Sequence, residues 1–205
     1  HDVKTTDREL VQSYTLCSDR QNCDLSFANI ISWRFLYNTQ IAEVDGFLVF
    51  RFYIGHHLAY MAPVWKGEWN ELMSEPFAKV VRQMRDDSIT LGHPFLMLGV
   101  CTNMVEILES IFPDTFYIKP DRDYFDYIYT REKLATLAGK KLQSKRNHCN
   151  RFRKTYPNYE YRPLTKDMIP ECLAVEANWR TVTKEDNNEE EELSEELRSM
   201  TRIMG

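Results

Sequence analysis

The chain has 205 residues, of which 43% are hydrophobic, 13% aromatic and 28% charged. This composition is typical of a folded globular protein and excludes a disordered, collagen-like or disulfide-dense chain. No apolar run approaches the roughly 18 residues that a membrane-spanning helix needs, so the sequence also argues against a transmembrane protein.

The net charge of −5 is located at the C-terminal end. Residues 183–205 contain eight acidic and three basic residues, which leaves 23 of each sign in residues 1–182. Within that balanced part, residues 139–154 hold seven Lys or Arg and no Asp or Glu. This distribution predicts a basic element upstream of an acidic run, which we expect to be mobile between residues 184 and 196.

The five cysteines are odd in number and widely spaced, they include no CxxC pair, and no signal-peptide pattern opens the chain. This usage predicts free thiols in a reducing compartment, so we expect a cytoplasmic protein. The chain begins with His1 and stops at Gly205 after a helical pattern, from which we expect a piece of a longer protein.

Hydrophobic periodicity predicts alternating helices and strands in the first two thirds of the chain. Asp45-Gly46 between two β-prone runs is a strong hairpin signal. In chain order the predicted elements are helices at 7–16 and 24–37, strands at 41–44, 47–53 and 58–64, a helix at 67–88, a strand at 95–100, a helix at 103–111, and strands at 115–118 and 124–129. This order predicts an α+β domain with one mixed central sheet flanked by helices.

The remaining sequence begins with a short helix after Thr130 and a long basic helix at 140–156. A strand at 159–164, a helix at 167–179, and a final helix beyond the acidic run are predicted to follow. We interpret this strand and helix as the start of a second unit.

Several common site motifs are missing from the sequence. The seven glycines are too far apart to form a P-loop or a GxGxxG turn, so no backbone phosphate cradle is predicted. His56 and His57 are adjacent in a predicted turn and have no carboxylate or cysteine at ligand spacing. We therefore predict no metal site.

The basic helix is the most informative element. At 100° per residue, an apolar stripe about 80° wide forms along it and is expected to face a core. Its members are Ala138, Leu142, Cys149, Phe152 and Tyr156. Lys145 falls inside this stripe, where a lysine must snorkel, pair with a carboxylate, lie on an aromatic ring or face an anion.

Two interpretations of Lys145 remain open. It pairs with Asp123 or Asp126 and the outer bases form a solvated face, or it lines a site for phosphate groups of RNA, of a lipid head group or of a coenzyme. In the second case the predicted binding residues are Lys141, Lys145, Arg146 and His148, while Arg151 is expected to point away from the stripe.

Three segments carry a resemblance to a known family: residues 139–152, residues 123–129, and residues 24–29 with Trp33 and Arg34. They resemble a bacterial family of uncharacterised proteins that is similar to the C-terminal domain of phosphatidylglycerol lysyltransferase. The resemblance implies two GNAT-like acyltransferase folds in tandem. It divides the chain into a first GNAT-like domain (1–136), a basic linking helix (137–157), and the opening strand and helices of a second, truncated GNAT-like domain (158–205).

The resemblance also implies acyl or aminoacyl transfer, with acyl-CoA or aminoacyl-tRNA as donor and an anionic lipid head group as a possible acceptor. Lys145 and Arg146 would hold the donor, Lys141, His148 and Arg151 would support them, and His148 is a weak candidate for proton transfer. Asp24, Ser26, Asn29 and Trp33 match the family motif too, although capping and packing of the second helix is the stronger explanation for them.

The first GNAT-like unit has no Gly-x-Gly loop in the segment 59–70, where a donor site would lie. We therefore expect this unit to be a scaffold. The rival hypotheses are a non-enzymatic module that binds RNA or another anion, and a structural domain whose basic helix docks the acidic segment 185–196.

Overall fold

A computed structural model describes residues 1–183, 195 and 197–201, the side chains of 180–183 excepted. The α-helices are α1 (Arg8–Thr15), α2 (Phe27–Tyr37), α3 (Ser74–Thr90), α4 (Thr102–Ile111), α5 (Arg131–Thr136), α6 (Gln143–Thr155) and α7 (Ile169–Thr183). The strands are β1 (Gln40–Val44), β2 (Phe47–Ile54), β3 (His57–Met61) and β4 (Met97–Leu98). The predicted order of elements is confirmed from α1 to α4.

The four strands form one mixed sheet in the order β1-β2-β3-β4. The first three are antiparallel, and β4 pairs parallel to β3 through Met97 and Leu98. Asp45 (φ 47°) and Gly46 (φ 83°) both lie in the left-handed region, which a two-residue turn of this hairpin type requires. The prediction of an α+β fold with a mixed central sheet between helices is confirmed.

Both faces of the sheet are covered, so the domain has two hydrophobic cores. Strand β2 shows this directly, since Phe47 and Val49 belong to one core while Leu48 and Phe50 belong to the other. The first core is completed by α3 and α4, and the second by α1 and α2. Alternation of side chains along a strand explains why every residue in the first half of β2 is buried.

Strand β3 is interrupted where the sequence predicts that it continues to residue 64. Tyr60 pairs with Arg51, but the next bridge joins Val64 to Leu48, so four residues on one side face three on the other. The extra residue is a β-bulge, and it places the carbonyl groups of residues 62 and 63 outside the ladder between β2 and β3. Pro63 is compatible with this position because a bulge does not need its missing N–H group.

Three predicted strands are absent. Residues 115–118, 124–129 and 159–164 form turns, 3-10 turns or irregular backbone. Each segment has a tyrosine that is open to solvent, with exposed fractions of 93% for Tyr117, 87% for Tyr127 and 94% for Tyr161. These segments have the β-prone composition of a half-buried strand, but in the described residues they have no neighbouring strand to pair with.

Residues 197–201 are helical and pack against α2. The Arg198 guanidinium lies 4.4 Å from the centroid of the Phe35 ring, and Ser199 is buried. The predicted mobile run falls almost entirely outside the described residues, as does the docking of the acidic segment on the basic helix. Glu195 is the described member of that segment. Together with burial and the charge of Asp24, its negative charge raises the pKa of Tyr37 in α2.

Candidate functional site

The basic helix α6 begins at a turn that Arg146 stabilises. The guanidinium donates hydrogen bonds to the carbonyl oxygens of Leu137 and Gly139, the latter at 2.9 Å, and to Oε1 of Gln143. Leu137 (φ 48°) and Gly139 (φ 91°) both have left-handed backbone, so the turn before the helix is sharp. Because at least three of its five N–H groups bond within the chain, Arg146 positions the helix start and has few donors left for an anion.

Lys145 lies exposed on α6. It forms no ion pair or hydrogen bond with any residue that the structure describes. The interpretation in which it pairs with Asp123 or Asp126 is therefore wrong for the described chain, and Asp126 instead accepts a hydrogen bond from the backbone N–H of Cys23 at 3.3 Å. The ammonium group of Lys145 is therefore available to an external anion.

The other predicted anion-binding residues are also on the surface. Lys141, His148 and Arg151 are exposed, and Nη2 of Arg151 lies 3.5 Å from Nδ1 of His148. With Lys145 they form a group of basic residues at i, i+4, i+7 and i+10. Because residues 139–154 contain no carboxylate, this group has no internal counter-charge along its own helix.

The apolar stripe of α6 does not face a core, contrary to the prediction. None of the helix residues from Gln143 to Thr155 is buried, and Ala138 is exposed. The stripe packs within its own segment instead, since the Phe152 ring lies 5.2 Å from the rings of both Tyr156 and Tyr159. These rings remain about half exposed, so an aromatic cluster accompanies the cations on this surface.

A second group of polar residues was not predicted. It forms where residues 23–29 meet residues 121–129, two segments about one hundred residues apart. In addition to the contact between Cys23 and Asp126, the Asn29 side chain donates to the carbonyl oxygen of Cys23 at 3.0 Å, and the backbone N–H of Asp24 donates to Oδ1 of Asn22 at 2.8 Å. These bonds confirm that Asn29 stabilises the start of α2.

The negative charges at this junction change the proton affinity of their neighbours. Partial burial and the nearby Asp126 raise the pKa of Asp24. A hydrogen bond of the Cys23 side chain with Asp126, followed by burial, raises the pKa of Cys23 to about 11, so the thiol stays protonated at neutral pH. Burial and then the charge of Asp24 raise the pKa of Tyr37. The carboxyl groups at this junction therefore favour neutral or cationic neighbours over anions.

The carboxyl ends of β3 and β4 are closed by the chain itself. Arg20 donates to the bulge carbonyls of Ala62, at 2.7 Å, and of Pro63. A Cβ on Gly99, just after β4, would lie 2.9 Å from Cε of Met61 and 3.2 Å from Nδ2 of Asn22. Segment 17–22 therefore packs directly over the strand ends, where an open sheet commonly binds its ligand.

None of the helices in the described ranges combines the length and hydrophobicity needed to cross a bilayer. Nor do the described residues bring together three or more His, Cys, Asp or Glu side chains in an arrangement that could hold a metal ion.

The chain is similar to proteins of one family over nearly its whole length. A crystal structure of a conserved protein of unknown function from Bacteroides thetaiotaomicron covers 100% of this chain with 48% sequence identity and a TM-score of 0.88. The chain spans 66% of the length of that protein. No curated protein matches it. Residues 17–203 match the family described as phosphatidylglycerol lysyltransferase, C-terminal, and the chain belongs to this family.

Proposed function

We propose that the chain is part of an acyl- or aminoacyltransferase in which α6 and the turn before it hold the anionic donor. The observation that supports this most directly is the exposed Lys145, which has no partner among the described residues and lies with Lys141, His148 and Arg151 on a helix without carboxylates. Membership of the lysyltransferase family supports the reaction class.

In this reaction a nucleophilic hydroxyl of the acceptor attacks the acyl carbon of the donor. The new acyl–oxygen bond forms as the donor's ester or thioester bond breaks, and the acceptor's proton passes to the leaving group. Cations near the donor phosphates keep the acyl carbon in place and stabilise the developing negative charge. Lys145, Lys141 and Arg151 bind phosphates, Arg146 orients the helix, and His148 is a weak candidate to carry the proton.

The proposed division of roles follows the three parts of the chain that the family resemblance implies. Residues 1–136 form the first GNAT-like domain and act as a scaffold, 137–157 form the basic linking helix, and 158–205 begin a second GNAT-like domain. The closed strand ends at Arg20 support the scaffold role, because they leave no open crevice for a donor there.

Binding and transfer test the proposal separately. Aminoacyl-tRNA and acyl-CoA are titrated against the wild-type chain, Lys145→Gln and the matched control Lys154→Gln, which removes a lysine expected to point away from the stripe. For the donor that binds, loss of Lys145 should weaken affinity about tenfold and reduce the salt slope by about one. Labelled acyl transfer to vesicles containing phosphatidylglycerol then tests the enzyme. Equal effects of both substitutions, or no binding of either donor, would refute the assignment.

A non-enzymatic RNA-binding module is the second candidate. The aromatic cluster of Phe152, Tyr156 and Tyr159 favours it, because unpaired bases stack on exposed rings beside cations. Tight, salt-dependent binding of RNA together with no transfer from any donor would support this candidate over the enzyme.

A further inference from the structure

Arg20 is a largely buried cation, and no carboxylate among the described residues forms an ion pair with it. Besides its hydrogen bonds to the carbonyl oxygens of Ala62 and Pro63, its Cζ lies 5.0 Å from the centroid of the Trp65 ring. The adjacent Asp19 accepts from Nδ2 of Asn103 at 3.1 Å and forms no ion pair with Arg20. Burial lowers the pKa of Arg20 to about 10, so the guanidinium is still charged at neutral pH.

The indole N–H of Trp65, next to Arg20, is a second donor with unused hydrogen-bonding capacity. Its side chain is 1% exposed, and its indole Nε1 has no acceptor among the described residues. A buried donor without a partner costs about 1–3 kcal/mol, so such groups are usually paired. A guanidinium has five N–H groups, and Arg20 uses two in the bonds above, so the others bond to no described residue.

The position of the pair also favours a ligand. Arg20 reaches the bulge at the carboxyl end of β3, next to the parallel strand β4. Ligands of open sheets bind outside the carboxyl ends of parallel strands. Segment 17–22 closes this end of the sheet to a large donor, but it brings there a buried positive charge and N–H groups that bond to no described residue.

We propose that Arg20 and Trp65 form a binding site for a small carboxylate anion. One carboxylate oxygen accepts from the free N–H groups of Arg20 and the other from the indole N–H of Trp65. A planar carboxylate matches the planar guanidinium fork. Because Trp65 is 1% exposed, the site would admit only a group of few atoms. This site is separate from α6 and does not depend on the function proposed for that helix.

The test follows the indole N–H resonance of Trp65, assigned by NMR, while acetate is added at constant ionic strength. A saturable shift of this resonance is expected, with a dissociation constant of about 1 mM. Chloride and inorganic phosphate are titrated in parallel. If the resonance does not move with acetate, water satisfies the indole and the proposal is wrong. If chloride or phosphate shifts it as strongly as acetate, the assignment to a carboxylate is wrong.

Variants of Arg20 supply the second measurement. Arg20→Lys keeps the charge but loses the planar fork, so the affinity for acetate should fall at least about tenfold. Arg82 is the matched control, because its guanidinium also lies over a ring, that of Phe112 at 5.6 Å. Arg82→Lys should leave the titration unchanged. Unchanged acetate binding in Arg20→Lys would overturn the proposal, and the wild-type titration decides it if that variant fails to fold.

Discussion

Replacing Asp87 by alanine is expected to destabilise the domain, mainly because the buried Tyr60 hydroxyl loses its hydrogen-bond acceptor. The Asp87 carboxylate on α3 accepts a hydrogen bond from the Tyr60 hydroxyl and forms an ion pair with Nη1 of Arg51 at 2.6 Å. It thereby joins α3 to β2 and β3. Tyr60 is 2% exposed, so its hydroxyl has little access to water once the carboxylate is gone.

The two lost contacts contribute different amounts to the free energy of unfolding. A buried hydroxyl left without its partner costs about 1–3 kcal/mol. The ion pair counts for less, because the side chains of Arg51 and Asp87 are 30% and 43% exposed, and such pairs contribute about 0.5–1 kcal/mol. We therefore expect Asp87→Ala to lower the free energy of unfolding by about 2–3 kcal/mol.

Urea denaturation followed by circular dichroism measures this loss, and a double-mutant cycle locates it. Adding Tyr60→Phe to Asp87→Ala removes the orphaned hydroxyl and should recover most of the difference. The control is Lys79→Gln, which breaks the exposed ion pair between Lys79 and Asp45 and should cost about 0.5 kcal/mol or less. Additive effects of Tyr60→Phe and Asp87→Ala would refute the reasoning.

The same contacts predict a pH dependence. Burial by itself would raise the pKa of Asp87, but the hydrogen bonds from Tyr60 and Arg51 outweigh it and lower the pKa. A carboxyl whose pKa is lowered on folding adds stability above its unfolded pKa of about 3.9 and loses it as the pH falls through the folded value. The difference between wild type and Asp87→Ala should therefore be constant near neutrality and shrink below about pH 4.

Gly99→Ala should be more destabilising in urea denaturation than Gly55→Ala, although both glycines have positive φ, because a Cβ meets neighbouring atoms within 3 Å only at Gly99; equal losses would argue against the tight contact over the strand ends. Cys17 and Cys23 are both exposed, but Cys23, whose pKa is raised to about 11, should react with iodoacetamide at pH 8 at least about tenfold more slowly in peptide mapping, and equal rates would contradict the hydrogen bond to the carboxylate. Arg146→Gln should decrease helical circular dichroism by removing the bonds that hold the start of α6, whereas an unchanged spectrum would show that the helix forms without them.

Patterns that depend on neighbouring residues could be read from the sequence alone. The hairpin at Asp45-Gly46 follows from two residues that tolerate positive φ between β-prone runs, and the structure confirms it. The positions of α1 to α4 follow from the helical spacing of their apolar residues in the same way. The charge of α6 is a property of composition and needed no structure.

The site was only partly predictable. The sequence placed Lys145 among apolar residues. It did not show that Asp126 contacts Cys23, which is 103 positions away, and forms no ion pair with Lys145. The role of Arg20 had no sequence signal, because the bulge that exposes its carbonyl acceptors is a feature of strand pairing. A search for arginines near a predicted strand end would have found it only as one of many.

Local chemistry, then, determined the helices, the hairpin and the positive charge of α6, since each depends on residues within a few positions of one another. Tertiary structure decided which β-prone segments became strands, because a strand needs a partner for its backbone hydrogen bonds and residues 115–118, 124–129 and 159–164 find none among the described residues. It also decided which charged groups are paired and which are available, because hydrogen bonds and burial depend on distances in space that the order of residues does not contain.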